Sequence, residues 1–183
     1  MKTLKLNGVF ELRKLSDSDR IVAGYASDWQ EDSDGELIPR ETQLAWWSKY
    51  IQSEYPIITM FHDDVPVGRV LPEFKDSMGV MHKSGVDDRG LYVITQLRKD
   101  TRTADELWQQ IQQWGGRGAY SISANIFGQP ITQTGPKGNT IRIYPPESGE
   151  LNSITIGREG ANDRAIFQIV KLRKPTKRTL VVR

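Results

Sequence analysis

The chain has no cysteine among its 183 residues, so it can carry no disulfide framework, no thiolate zinc site and no cysteine nucleophile. A reducing intracellular setting is therefore allowed. Histidine is almost as scarce, with His62 and His82 alone, and no His-x-x-x-His or His-Glu-x-x-His pair exists to hold a catalytic zinc. No apolar run approaches the roughly 18 residues that span a bilayer. The opening Met1-Lys2-Thr3-Leu4-Lys5-Leu6-Asn7 lacks the apolar core of a signal peptide. Strong charge of one sign is missing too. A net charge of +2 is too small to imply a nucleic-acid partner. The apolar fraction is 37%, while charged residues stand at an ordinary 26%, so the chain reads as a folded domain with generous loops.

At this length one domain is expected, spanning residues 1–170, followed by a basic tail over 171–183. The tail holds Lys171, Arg173, Lys174, Lys177, Arg178 and Arg183, and no acid follows Asp163. A solvated tail is the plain reading, and a segment that docks on or is cleaved near an acidic partner is the sharper one.

Strand-like runs of β-branched and aromatic residues dominate: Leu4–Leu12, Ile21–Ser27, Pro56–Phe61, Val67–Phe74, Gly90–Leu97, Ala119–Phe127, Thr140–Tyr144, Leu151–Ile156 and Ile166–Leu172. Asp87-Asp88-Arg89-Gly90 predicts a hairpin turn after a strand near Val80–Lys83, and Thr134–Asn139 a loop tip. Two helices are expected. One runs from about Arg40 to Gln52, with Leu44, Trp47 and Ile51 on its apolar side. The other opens on Thr103-Ala104-Asp105-Glu106, which has the form of a capping box. It sets Ala104, Leu107, Trp108, Ile111 and Trp114 on one stripe before Gly115-Gly116. Strands without βαβ alternation predict a mainly β, α+β fold: a barrel or sandwich with flanking helices.

Three stretches could carry chemistry. Gln30–Gly35 with Glu41 approximates the donor spacing of a calcium loop, but glutamine replaces the first acid and Pro39 interrupts it. An acidic turn before a helix N-terminus explains the same residues, and no metal is expected. His62 ends an apolar run, where a structural histidine is common; His82 reads as structural. Ser121 and Ser123 share one face of a strand entered through Gly115-Gly116-Arg117-Gly118. They do not match Gly-x-Ser-x-Gly, so a hydrolase elbow is not indicated. A serine on a rigid strand with a histidine 59 residues earlier are nonetheless two parts of a nucleophile–base pair.

The order of segments resembles the prohead (procapsid maturation) serine proteases of tailed bacteriophages, including the prophage-encoded variant, a family related to the herpesvirus assembly proteases. The resemblance runs from Gly24-Tyr25-Ala26-Ser27 through Asp32–Pro39, a hydrophobic strand ending in His62, and Val67-Gly68-Arg69-Val70. It continues with Asp88–Val93, a helix ending in tryptophan and glycine, Tyr120-Ser121-Ile122-Ser123 and Ser153–Asn162. It implies a herpesvirus-protease-like seven-stranded β-barrel with outer helices. The implied activity is that of a serine endopeptidase, needing no cofactor, that cleaves major capsid and scaffold proteins. The implied setting is the assembling procapsid in the host cytoplasm, away from membranes, with homo-oligomerisation open.

By motif position His62 would be the general base and Ser121 the nucleophile, with Ser123 the fallback. The glutamate common to the family falls on Ser153 here, which leaves Glu150 as the nearest carboxylate for a third member, provided a bulge turns it to the right face. Glu159 and Asp163 are further candidates. Gly157 and Arg158 would supply oxyanion or substrate contacts. A protease-like module that has lost catalysis and only binds capsid or scaffold protein is the alternative. Nucleic-acid binding through the tail and tryptophans ranks well behind both.

Overall fold

The computed structural model describes residues 2–6, 13–16, 18–32, 35–54, 56–60, 65–114 and 118–158, with backbone alone at 2–6, 13–15 and 158. The first strands are β1 (Lys2–Leu6), β2 (Arg13–Ser16), β3 (Ile21–Asp28) and the two-residue β4 (Glu36–Leu37). Helix α1 (Arg40–Ile51) precedes β5 (Ile57–Met60), β6 (Pro66–Leu71), β7 (Glu73–Lys75), β8 (Met81–Lys83), β9 (Gly85–Val86) and β10 (Gly90–Leu97). Helix α2 (Arg102–Gln113) leads to β11 (Gly118–Ile126), β12 (Ile131–Thr134), β13 (Thr140–Ile143) and β14 (Gly149–Arg158).

Nine strands form one sheet in the order β1-β11-β14-β5-β6-β10-β3-β2, with β9 paired to β10. All its pairings are antiparallel except β14 with β5, which run parallel over Ile154–Ile156 and Ile58–Met60. The sheet curls until β11 faces β3. There Thr95 Oγ1 and Tyr120 Oη lie 2.6 Å apart, 3.3 and 3.2 Å from the Val22 carbonyl oxygen. The result is a mainly β fold with two helices and a nearly closed, barrel-like sheet. Its interior is filled by alternate residues of each strand, among them Val22, Ile58, Val93, Tyr120, Ile122 and Ile154. Gly68 is needed where β6 meets β10, because a Cβ there would stand 2.3 Å from the Gln96 carbonyl oxygen.

Register places strand ends on two rims. Ile21, Leu97, Pro66, Met60, Arg158 and Gly118 mark one; Asp28, Gly90, Leu71, Ile57, Gly149 and Ile126 mark the other. The helix α2 joins Leu97 to Gly118 and so belongs to the first rim, tied there by Arg20 Nη1 to Asp105 Oδ1 at 2.5 Å. The helix α1 belongs to the second, where Tyr50 Oη donates to the Ile57 carbonyl at 2.6 Å and Trp46 Nε1 to that of Pro146 at 2.9 Å.

Several local expectations are revised. The buried side of α1 is Thr42, Gln43, Trp46, Trp47 and Tyr50, while Leu44 is exposed. The two tryptophans and the tyrosine offer more apolar area than Leu44. Of the polar members, Thr42 Oγ1 donates to the Tyr144 carbonyl (2.7 Å) and Gln43 Nε2 to those of Asp28 and Ile38 and to Ser27 Oγ, while among the described residues Gln43 Oε1 is buried with no partner. The cap of α2 is Thr101, whose hydroxyl accepts from the Ala104 N–H at 3.4 Å, so Thr103 lies inside the helix. The stripe Ala104, Leu107, Trp108 and Ile111 is buried as expected.

The run Val67–Phe74 breaks into β6 and β7 at Pro72, which has no N–H to donate. Asp87–Gly90 does turn, with the Asp87 N–H on the Gly90 carbonyl at 2.9 Å, but the strand it joins to β10 is β9. The Thr134–Asn139 tip closes the β12–β13 hairpin. The strand expected at Ile166–Leu172 and the basic tail lie outside the described residues.

Candidate functional site

The strand β11 begins at the first rim and carries Ser121 three residues in from Gly118 and Ser123 two further on. Their neighbours Tyr120 and Ile122 point into the barrel, so the serines face out, yet both are buried, at 8% and 5% exposure. Across the ladder Ser121 stands opposite Thr155 and Ser123 opposite Ser153. Thr155 in turn stands opposite Thr59 of β5. Ser121, Thr155 and Thr59 thus form one row over three adjacent strands, and the two threonine hydroxyls are hydrogen-bonded at 2.7 Å. Thr155 and Thr59 are buried as well, at 2% and 5% exposure.

The sequence reading missed both threonines. Their signal was present: Ile58-Thr59-Met60 and Ser153-Ile154-Thr155-Ile156 show the same alternation of hydroxyl and apolar residues that drew attention to Ser121 and Ser123.

His62 falls within residues 61–64 and so lies outside the described residues. Both flanks of that segment are placed. Met60 is opposite Ile156, and Pro66 returns opposite Thr59, so the connection leaves and rejoins the sheet at the rim that holds Ser121. Gly157 pairs with Ala119 and the backbone of Arg158 with Gly118, at that same rim. Glu159 and Asp163 lie outside the described residues, as do Gly115, Gly116 and Arg117.

Glu150 is placed elsewhere. A bulge at Asn152, between the pairs Ser123–Ser153 and Ala124–Leu151, turns Glu150 to the face of Ser121 and Ser123. Its partner is Asn125, four positions along β11 from Ser121, or about 13 Å at 3.3 Å per residue. Glu150 therefore sits beside Gly149 at the second rim. Facing is satisfied and reach is not, so the structure does not bring Glu150 to Ser121.

The acidic stretch before α1 has a structural account. Asp32 Oδ1 accepts from the Glu36 N–H at 2.9 Å, Glu31 accepts from Asn139 Nδ2, and Gly35 turns with φ +72°. Glu36 is 5% exposed and takes Arg142 Nη2 and Tyr144 Oη, each at 3.0 Å, on one carboxylate oxygen. These bonds join β4 to β13 in parallel. Burial and the hydrogen bond to Glu36 push the Tyr144 phenol up to about 12. Ser33 and Asp34 lie outside the described residues. Among the described residues no group of three or more His, Asp or Glu is gathered to hold a metal ion.

His82 lies on the small β7–β8 hairpin, with Nε2 2.9 Å from Asp76 Oδ2. The other oxygen of Asp76 accepts from the Met78 and Val80 N–H groups, both at 2.9 Å, so the pair closes a turn. The hydrogen bond to His82, with these backbone donors, holds the Asp76 carboxyl below its ordinary value.

Comparison with protein-family models, with curated proteins and with solved structures finds no match. Among the described residues no helix is long and apolar enough to cross a membrane.

Proposed function

We propose that the chain is a serine endopeptidase of the prohead-protease type, acting on capsid and scaffold proteins of a tailed bacteriophage during procapsid maturation. The observation that carries this reading is the sharing of one rim by Ser121, Gly157 and both flanks of the segment that holds His62. The order of family-like segments and the barrel-like sheet also support it, and the finer seven-stranded, herpesvirus-protease-like architecture is part of the proposal. In the reaction Ser121 Oγ attacks the scissile carbonyl while His62 takes its proton, and the same imidazole then protonates the leaving amine. Backbone N–H groups near Gly157, with Arg158, are the candidates to meet the developing oxyanion.

The test is covalent labelling of the full chain by a fluorophosphonate. The Ser121 Oγ–phosphorus bond forms, the phosphorus–fluorine bond breaks, and the hydroxyl proton passes to the base as fluoride leaves. Ser121→Ala should lose labelling, and processing of co-expressed capsid or scaffold protein, by a thousandfold or more, on the order of losses seen when a nucleophile is removed. Ser123→Ala should retain both. Labelling that survives Ser121→Ala and vanishes in Ser123→Ala moves the role to Ser123. Labelling that survives both removes the assignment.

A second reading is a protease-like module that binds capsid or scaffold protein without cleaving it. The placement of Glu150 at the far rim, with Ser153 opposite Ser123, favours it, because an imidazole without an orienting carboxylate loses most of its catalytic advantage. Under this reading the native chain takes no fluorophosphonate and still retains capsid protein.

A further inference from the structure

The β7–β8 hairpin leaves the barrel just past Leu71, at the rim away from Ser121, and its two faces are unlike. Phe74 and His82 stand opposite each other, and Phe74 packs on the outer wall of the barrel against Ile21, Ala23 and Ile94. Glu73, Lys75, Met81 and Lys83 alternate with them, face away and are all exposed. The turn between the strands adds Met78 and Val80. Seven large apolar side chains are exposed among the described residues, and three of them fall within these four positions: Met78 at 74%, Val80 at 51% and Met81 at 48%. Single exposed apolar residues are ordinary; a cluster on a projecting hairpin marks a surface built for contact.

The cluster is also held in place. The Asp76 N–H donates to the Val80 carbonyl and the Gly79 N–H to that of Asp76, both at 2.9 Å, with Gly79 at φ +84°. The Asp76 carboxylate, itself buried, binds the Met78 and Val80 N–H groups and His82. At the root, Ser84 Oγ donates to the Leu71 carbonyl at 2.6 Å and accepts from the Ile94 N–H at 2.8 Å. None of these bonds hides Met78, Val80 or Met81 from water. They fix the backbone that displays them, which lowers the entropy lost when a partner settles there. Two of the three are methionines, whose flexible, polarisable thioethers adapt to another protein's side chains. Charge narrows the partner further. Glu73 stands opposite Lys83, whereas Lys75 stands opposite Met81, with its Cε 3.9 Å from where a Cβ on Gly79 would lie. Asp76 is turned onto His82, so Lys75 borders the apolar tip and, among the described residues, forms no ion pair.

We propose that the β7–β8 tip is a docking surface for an acidic, apolar segment of another protein. The segment's apolar side chains cover Met78, Val80 and Met81, and an Asp or Glu meets Lys75. Two other occupants fit less well. A bilayer surface is met by tryptophan and tyrosine, and the exposed tip has no aromatic residue. A second copy meeting the tip about a two-fold axis sets Lys75 near its own image. The surface stands apart from the candidate serines and holds whether or not the chain cleaves peptide bonds.

The experiment pans the full chain against a display library of random peptides and titrates the enriched sequences, made with a fluorescent label, by anisotropy. The enriched peptides should combine apolar residues with Asp or Glu. Met78→Ser/Val80→Ser/Met81→Ser should bind them about tenfold or more weakly, the scale of losing the centre of a small interface, with a urea midpoint close to native. Lys75→Glu should also weaken binding, and its deficit should shrink as salt is raised. Phe127→Ser/Ile131→Ser, which removes two equally exposed apolar side chains elsewhere, should bind as the native chain does. Failure to enrich any peptide overturns the proposal, as do peptides that bind the triple variant at native strength or lose as much in Phe127→Ser/Ile131→Ser. A dimer seen by sedimentation velocity that the triple variant loses gives the tip to a second copy and overturns it too. So does binding to vesicles of phosphatidylcholine and phosphatidylglycerol that is lost in the triple variant while the peptides ignore the tip. Should the triple variant not fold, Met78→Ser alone decides: native-strength binding again overturns the proposal.

Discussion

At the scale of the residue, the chain spends its polar side chains on closing turns and joining distant segments. Asp76 is the clearest case, with one oxygen on His82 and the other on two backbone N–H groups. A carboxyl whose folded value lies below its ordinary 3.8 favours the folded state wherever it is ionised. That contribution is fully present above 3.8 and is lost as pH falls through the lower, folded value. Stability measured by urea unfolding from pH 5 to pH 2 should therefore fall less steeply in Asp76→Asn than in the native chain, with the native chain the more stable at pH 5. Glu36 does similar joining work with Arg142 and Tyr144 over 106 and 108 residues of sequence. No local pattern could announce that pairing, because its partners are brought together by the parallel meeting of β4 and β13.

Elements show where local signals sufficed and where they were overruled. The amphipathic stripe of α2 was legible because five apolar residues recur at helical spacing; Ala104, Leu107, Trp108 and Ile111 are buried, and Trp114, at the C-cap, is partly buried. Its start was misread by two residues, since Thr101 and Thr103 are both fit to cap and only the fold chooses between them. Beginning at Arg102 permits the Arg102–Glu106 ion pair at 2.7 Å, one helical turn apart. Thr101→Ala should thus cost about 1 kcal/mol in thermal or urea unfolding, the usual worth of a helix cap, and Thr103→Ala should cost little. For α1 the spacing rule named Leu44, Trp47 and Ile51; Trp47 is buried and Ile51 packs partly buried against the core, but Trp46 and Tyr50, not Leu44, join them at the barrel end. Periodicity finds a helix more readily than it finds which side faces inward when large aromatics lie on several faces.

At the scale of the molecule, β14 is the strand on which the site depends. It joins β11, with both candidate serines, to β5, which leads to His62. Ile154 at its centre is fully buried and lies between Ile122 and Ile58 in register. Ile154→Ala should lower the unfolding free energy by about 2–5 kcal/mol in urea, with the slope of the transition unchanged if the sheet unfolds as one unit. Loss of the barrel as a whole, rather than of β14 alone, would appear as coincident transitions by tryptophan fluorescence and far-ultraviolet circular dichroism.

The sequence alone was enough for a mainly β domain with two helices, for Ser121 and Ser123 sharing one face of a strand, and for the turns at Asp87–Gly90 and Thr134–Asn139. All of these follow from alternation, periodicity and turn chemistry, which act over a few residues. The tertiary structure decided the rest: the parallel joint of β5 with β14, the row Ser121–Thr155–Thr59, the bulge at Asn152, and the seat of Glu150 at the rim away from Ser121. Register between strands far apart in sequence is set by how the whole sheet curls to bury one face of every strand. A one-residue bulge shifts every pair beyond it, and nothing local to either strand records the shift.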